Sequence, residues 1–183
     1  MVIDAKADVV IIATGSTPKV FNIGDASNVY TAEDVLLGIK DVGESTVIIG
    51  GGLVGSEAAI WLVDQGKKVT LVEMQSDILK VGGPLCHANT DMLKDLVAFK
   101  DIDLRTNTVA TGATDNGFVL KSGDMEEVVI ADSAILAVGY SSQKQLYEEI
   151  QNEVPEVPLL GDARQVQNIM YAIWDAYEVA RNI

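Results

Sequence analysis

The chain has 183 residues, 48% of them hydrophobic, which excludes a disordered segment and leaves room for one domain plus part of another. Thirteen basic residues against 27 acidic ones give a net charge of -14 and a pI near 4.3, so nucleic-acid phosphate and anionic membrane surfaces are excluded as partners. The single cysteine, Cys86, forbids an internal disulfide and a thiolate metal cage, and it fits a reducing, cytoplasmic setting.

The first segment, Val9 to Ala13, is a continuous apolar run that ends at Thr14-Gly15. Such runs stopping at glycine predict buried strands of a parallel sheet. No stretch approaches the ~20 apolar residues that span a bilayer, and Asp4 with so short an apolar run does not make a signal peptide. Thr31-Ala32-Glu33-Asp34 predicts a capping start for a helix over 32–37, ended by Gly38. Thr46 to Ile49 is a second buried strand, ending in three glycines. Val54, Ala58, Trp61 and Leu62 have helical spacing, and Gly66 stops that helix. Val69 to Val72 is the next strand. Pro84 predicts the first turn of another helix, with Met92, Leu93, Leu96 and Val97 inside.

Residues 103–131 change character. The β-prone segments Leu104 to Ala110, Phe118 to Lys121 and Glu126 to Ile130 are broken at Asp115-Asn116-Gly117 and Ser122-Gly123-Asp124, which read as hairpin turns. Ser133 to Val138 returns to a buried strand, and Val157 to Leu160 is another, ending in Gly161-Asp162. In the tail, Ile169, Ala172, Ile173, Ala176 and Ala180 share one helical face.

The chemistry concentrates at Gly50-Gly51-Gly52-Leu53-Val54-Gly55. A strand precedes this G-x-G-x-x-G, a helix follows, and Glu73 ends the next strand 23 residues after Gly50. In that setting Gly50 makes the tight turn, Gly52 admits a pyrophosphate, and Gly55 lets helix and sheet pack closely. The helix N-terminus, from Leu53 and Val54 onward, offers unpaired N–H groups to phosphate. Glu73 accepts ribose hydroxyls and repels a 2′-phosphate. Met74, Gln75 and Ser76 supply no cation to receive one, so the pattern selects NAD(H) over NADP(H).

Other residues carry two readings. Glu57 is either a helix-stabilising acid near the positive dipole end or a group facing the nicotinamide. Asp162 either caps the turn after its strand or binds a cofactor hydroxyl at the carboxyl end of a sheet. Tyr140 and Lys144 form Y-x-x-x-K, the pair of short-chain dehydrogenases, but they follow a strand-ending Val138-Gly139 and the glycine fingerprint does not lie near the N-terminus as in those enzymes, so a turn and helix start is the better reading. Cys86-His87 are adjacent and diverge by about 100° on a helix, too far to share a proton. No C-x-x-C is present. No catalytic acid or base and no metal site is assigned.

The ordered segments VVIIATGSTPK, VIIGGGLVGSEAAIWLVDQGKKVTLVE and VPLLGDARQVQNIMYAIWDAYEVARNI resemble the two-dinucleotide-fold flavoprotein oxidoreductases, the pyridine nucleotide-disulfide oxidoreductase-like proteins. The closing segment resembles the NADH oxidase, 2,4-dienoyl-CoA reductase and enoate reductase group. The resemblance implies an α/β fold: a Rossmann-like NAD(P)-binding domain, with a parallel sheet and a β-hairpin crossover, plus the remnant of an FAD-binding Rossmann-like domain. Its divisions would be 1–41 (FAD-domain remnant and connector), 42–141 (NAD(H) domain) and 142–183 (FAD-domain strand and helix).

Carried over, Gly50, Gly52, Gly55 and Glu73 match the NAD site, and Glu57 matches the acid near the nicotinamide. Gly139 ends the last strand beneath the cofactor. Thr14 and Gly15 line the FAD site, and Gly161 and Asp162 hold the ribityl chain. The FAD fingerprint itself is missing, so the resemblance implies an incomplete FAD site, with the barrel, its FMN and any iron–sulfur cluster upstream. The expected role is passing hydride from NADH to FAD in an intact enzyme, the fragment alone being inactive. The alternative is a non-catalytic NAD(H)-binding module serving a separate flavoprotein. The expected partners are the upstream flavin domains. Val9–Ala13 and Val157–Leu160 should pair in parallel, leaving an open apolar edge prone to self-association.

Overall fold

A computed structural model describes residues 2–24, 26–80, 86–114 and 116–183. In chain order, β1 (Ser16–Pro18) and β2 (Val29–Thr31) lead into α1 (Ala32–Leu36). Then come β3 (Ser45–Ile49), α2 (Leu53–Asp64), β4 (Lys68–Val72), α3 (His87–Phe99) and β5 (Ile102–Arg105). The strands β6 (Val109–Thr114), β7 (Gly117–Ser122) and β8 (Met125–Ile130) follow, then β9 (Ser133–Leu136), β10 (Tyr140–Ser142), α4 (Gln145–Ile150) and α5 (Ile169–Asn182). Two compact units result: one is Pro18–Gly139, the other joins the segment up to Thr17 with Tyr140–Ile183.

The first unit is built on a five-stranded sheet, order β2-β9-β3-β4-β5, with every pairing parallel. Alternation along the strands divides two cores. Ile48, Leu71 and Ile135 pack on one side with Leu62 of α2 and Leu93 and Val97 of α3. Val47, Ile49, Val72 and Leu136 pack on the other with Phe118 and Leu120 of β7. Both faces are covered, which is why these strands read as unbroken apolar runs. The second layer is the antiparallel sheet β6-β7-β8, the expected hairpin crossover inserted between β5 and β9.

The α1 start follows the sequence closely. Thr31 Oγ1 accepts the Asp34 N–H at 3.1 Å while the Asp34 carboxylate accepts from Thr31, a complete capping box. Gly38 and Gly66 close α1 and α2 in left-handed conformations.

Several expectations need correction. Leu104 to Ala110 is not one strand: it divides between β5 and β6 of different sheets, because Asn107 at φ 51° turns the chain. Asn tolerates that region, and its N–H reaches the Gln75 carbonyl. The edge strand β2, over Val29–Thr31, was not read from the sequence at all; three residues are too few for a periodicity signal. The helix expected from Pro84 begins at His87; Pro84 and the turn residue Asp115 lie outside the described residues.

In the second unit, the segments 9–13 and 157–160 do pair in parallel, through Val9↔Glu156 and Ile12↔Leu159. They form bridges rather than full strands. Ile12 is buried with Ile150, Val154 and Ala163, but Ile11 is exposed. α5 forms as expected, capped by Asn168 Oδ1 accepting the Tyr171 N–H, yet none of its residues is buried.

Candidate functional site

The glycine turn lies where β3 leaves the parallel sheet and α2 begins. Gly50 adopts φ 111°, and a Cβ there would stand 2.5 Å from the Ala137 carbonyl oxygen. A Cβ on Gly55 would collide with the Gly50 carbonyl oxygen. The cradle therefore requires glycine at both positions for two reasons, left-handed backbone at Gly50 and helix-to-turn packing at Gly55. Gly52 is the N-cap of α2 and, having no side chain, supplies no cap to the first-turn N–H groups. Leu53 and Val54 are half-buried in this first turn.

Glu73, just beyond β4, closes the cradle. Its Oε2 accepts the Gly51 N–H at 2.7 Å, and its Oε1 accepts the Gln75 N–H at 2.8 Å. A carboxylate has about four acceptor positions, so each oxygen retains capacity for a hydroxyl. A Cβ on Gly51 would meet Ile78 Cγ2 at 2.7 Å, and the Leu79 N–H donates to the Gly51 carbonyl at 2.8 Å. The loop 73–80 is thus bonded to the glycine turn along its length. Asp77 anchors the same loop to α3 through Lys94 Nζ at 2.5 Å, and that hydrogen bond holds its carboxyl below the usual range.

The loop also carries a cation that the sequence reading missed. Lys80 Nζ donates to Ser76 Oγ at 2.7 Å, and Gln75 Nε2 donates to the Lys80 carbonyl at 3.0 Å. Four residues of separation hid this pairing; only the loop's return toward Gly51 makes it. Glu57 is exposed on α2, and Gly139 is exposed at φ 95° after β9, with no atom within 4 Å of where its Cβ would be. Gly50, Gly51, Gly52, Gly55, Glu73 and Gly139 all belong to the Pro18–Gly139 unit.

The second unit gathers the other candidates. Thr14 Oγ1 donates to the Gln143 carbonyl at 2.5 Å, and the Gln143 N–H donates to the Gly15 carbonyl at 2.9 Å. Asp162 Oδ2 accepts from Ser16 Oγ at 2.9 Å, and its Oδ1 accepts the Gln167 N–H at 3.1 Å. The turn-capping reading of Asp162 is therefore realised, with acceptor capacity left on both oxygens. Gly161 is buried at φ 58° and donates its N–H to Asp175 Oδ2 at 3.1 Å. Ser16, Gln143 and Asp175 were not singled out from the sequence. They have no motif spacing: Ser16 and Gln143 lie more than a hundred positions from Asp162 and Thr14, and Asp175 lies 14 from Gly161.

Tyr140 is half-buried in β10, while Lys144 precedes α4. Cys86 precedes α3 and His87 opens it, both exposed. Among the described residues, no three His, Cys, Asp or Glu side chains gather as metal ligands, and no helix is long and apolar enough to cross a membrane.

The model of the pyridine nucleotide-disulphide oxidoreductase family matches residues 3–172. The chain belongs to that family. Its relatives include a cinnamate reductase of Clostridium sporogenes, 58% identical over 97% of this chain and 27% of the relative. An NADH oxidase of Thermoanaerobacter brockii is 36% identical over 96% of this chain and 28% of the relative. A solved 2-naphthoyl-CoA reductase superposes over all of this chain and 28% of its own, with a TM-score of 0.89 and 26% identity. The family member described here thus spans under a third of the length of these relatives. The family also bears out the α/β, Rossmann-like fold expected from the glycine fingerprint.

Proposed function

We propose that this chain is the NADH-binding portion of a flavin-dependent oxidoreductase, in which the Pro18–Gly139 unit holds NADH and the other unit contributes residues toward FAD. One observation carries the reading: the Gly50–Gly55 turn, packed so closely that a Cβ on Gly50, Gly51 or Gly55 would collide with neighbouring protein atoms, is bonded directly to the Glu73 carboxylate. NADH supplies a hydride when bound, and a flavin receives it. The residues here bind and orient. The first-turn N–H groups of α2 face a pyrophosphate, Gly52 leaves room for it, and Glu73 takes the adenosine ribose hydroxyls. Gly139 leaves open space at the end of β9, and Glu57 lies on the helix that follows the cradle. Thr14, Gly15, Gly161 and Asp162 are the residues offered to FAD. Asp162 fits a ribityl hydroxyl because both its oxygens keep an acceptor position.

FAD binding is completed by other segments of the enzyme, which are its natural partners, and FMN and an iron–sulfur cluster belong to those segments. The 58% identity to a cinnamate reductase supports a cinnamate-type final acceptor. A cytoplasmic, reducing location agrees with the one exposed thiol of Cys86.

Calorimetric titration with NADH and NADPH tests the assignment. The expected result is saturable NADH binding, tighter than NADPH. Absence of NADH binding refutes the reading, and tighter NADPH binding refutes the role given to Glu73, with Lys80 on Ser76 the group to examine next.

A further inference from the structure

The mid-helix position of Asp175 calls for an explanation. Aspartate is a poor helix former in a helix interior, and α5 has no buried residue that packing would reward. Asp175 is nonetheless the most enclosed partner of its ion pair, with its side chain 13% exposed against 54% for Arg164. Its Oδ1 accepts from Arg164 Nη2 at 2.8 Å and its Oδ2 accepts the Gly161 N–H at 3.1 Å. An ion pair with so exposed an arginine contributes little by itself. The Gly161 N–H is different. It belongs to a buried residue at φ 58°, and a buried backbone donor needs an acceptor.

Gly161 is also the pivot of its turn. Its carbonyl accepts the N–H groups of both Arg164 and Gln165 at 3.0 Å, and a Cβ on it would touch Ala172 Cβ of α5 at 3.4 Å. Asp162 follows directly, its two oxygens held by Ser16 and Gln167. A carboxylate on α5 thus grips the residue before the one whose carboxylate is offered to cofactor.

We propose that Asp175 is a positioning residue for the flavin site: by accepting the Gly161 N–H it locks the left-handed turn and so fixes where Asp162 stands. The inference rests on the assignment of Gly161 and Asp162 to FAD. Asp175 touches no cofactor in this scheme and acts through Gly161.

The test uses the natural full-length protein, as wild type, Asp175→Ala and Asp175→Asn. Flavin content of the wild type examines the underlying assignment first; a preparation that takes up no FAD overturns both. With FAD present, dissociation is expected to be about tenfold faster in Asp175→Ala, near wild type in Asp175→Asn, whose amide oxygen still accepts the Gly161 N–H, and NADH titration unchanged in both. Hydrogen exchange in the peptide spanning 160–168 should quicken in Asp175→Ala alone. Wild-type flavin retention in Asp175→Ala overturns the proposal. So does a joint loss of FAD and NADH binding in both variants, which marks Asp175 as a general stabiliser.

Discussion

Gly55 shows how one hydrogen in place of a methyl group can decide a site. Its would-be Cβ falls on the Gly50 carbonyl oxygen, a backbone atom held by the strand that carries it. Gly55→Ala therefore either opens the turn or lifts α2 off the sheet. Overpacking of this kind costs about 1–3 kcal/mol. Thermal denaturation should show the lower midpoint, and calorimetry a loss of NADH affinity of about tenfold or more. Under the proposed function Glu73 combines two tasks, since the oxygens it would offer to ribose also hold Gly51 and Gln75. Glu73→Gln leaves a single acceptor oxygen, so one of those N–H groups loses its partner. Weaker binding of both nucleotides is the expected outcome. Glu73→Arg should instead shift preference toward NADPH, as competitive titrations would show.

Among the elements, the opposite end of the parallel sheet carries a charge-dependent clamp. Asp132, just before β9, accepts through Oδ2 from the Glu44 N–H, the Ser45 N–H and Ser45 Oγ, each at 2.9 Å. The Ser45 hydroxyl and these backbone N–H groups hold its carboxyl below the ordinary aspartate range. A depressed folded value means the stabilisation is present above the unfolded pKa of about 4 and disappears as pH falls through the folded value. Asp77, in the loop bonded to the glycine turn, behaves the same way, through Lys94. Melting temperature should therefore fall on acidification below about pH 4. In Asp132→Asn that acid dependence should be shallower; an unchanged pH profile would dismiss the clamp. Apolar packing contributes little to α5, whose Ile169 and Ile173 are 80% and 61% exposed, as is 56% of Trp174.

For the whole molecule, exposed apolar surface competes with a net charge of -14. The helix face expected to pack inward lies open, and the paired segments 9–13 and 157–160 form bridges only. Self-association through this second unit is the expected consequence, opposed by charge repulsion that salt screens within about 10 Å at 0.1 M. Light scattering should then report larger species as ionic strength rises, and Ile173→Glu should reduce them. A strictly monomeric chain at high concentration and high salt would contradict this. The purified 183-residue chain should also be colourless, because under a third of the length of its relatives is present. A stoichiometric yellow flavin would show that Thr14, Gly15, Gly161 and Asp162 suffice to hold FAD.

Local signals carried the glycine turn, its strand and helix, the Thr31–Asp34 capping box and the hairpin crossover. Each rests on neighbours in sequence or on a periodicity that a doubly covered sheet imposes. The family could be read the same way, from the order of three glycine-ended segments. Contacts between distant side chains could not, although the resemblance did imply that segments 9–13 and 157–160 pair. Ser16 meets Asp162 across 146 positions, and Asn107, one turn-tolerant residue inside an otherwise β-prone run, redirects the chain between two sheets. The apolar face of α5 reads as core in the sequence because hydrophobic spacing records that a face is meant to be covered. What covers it is settled only by the segments that fold against it.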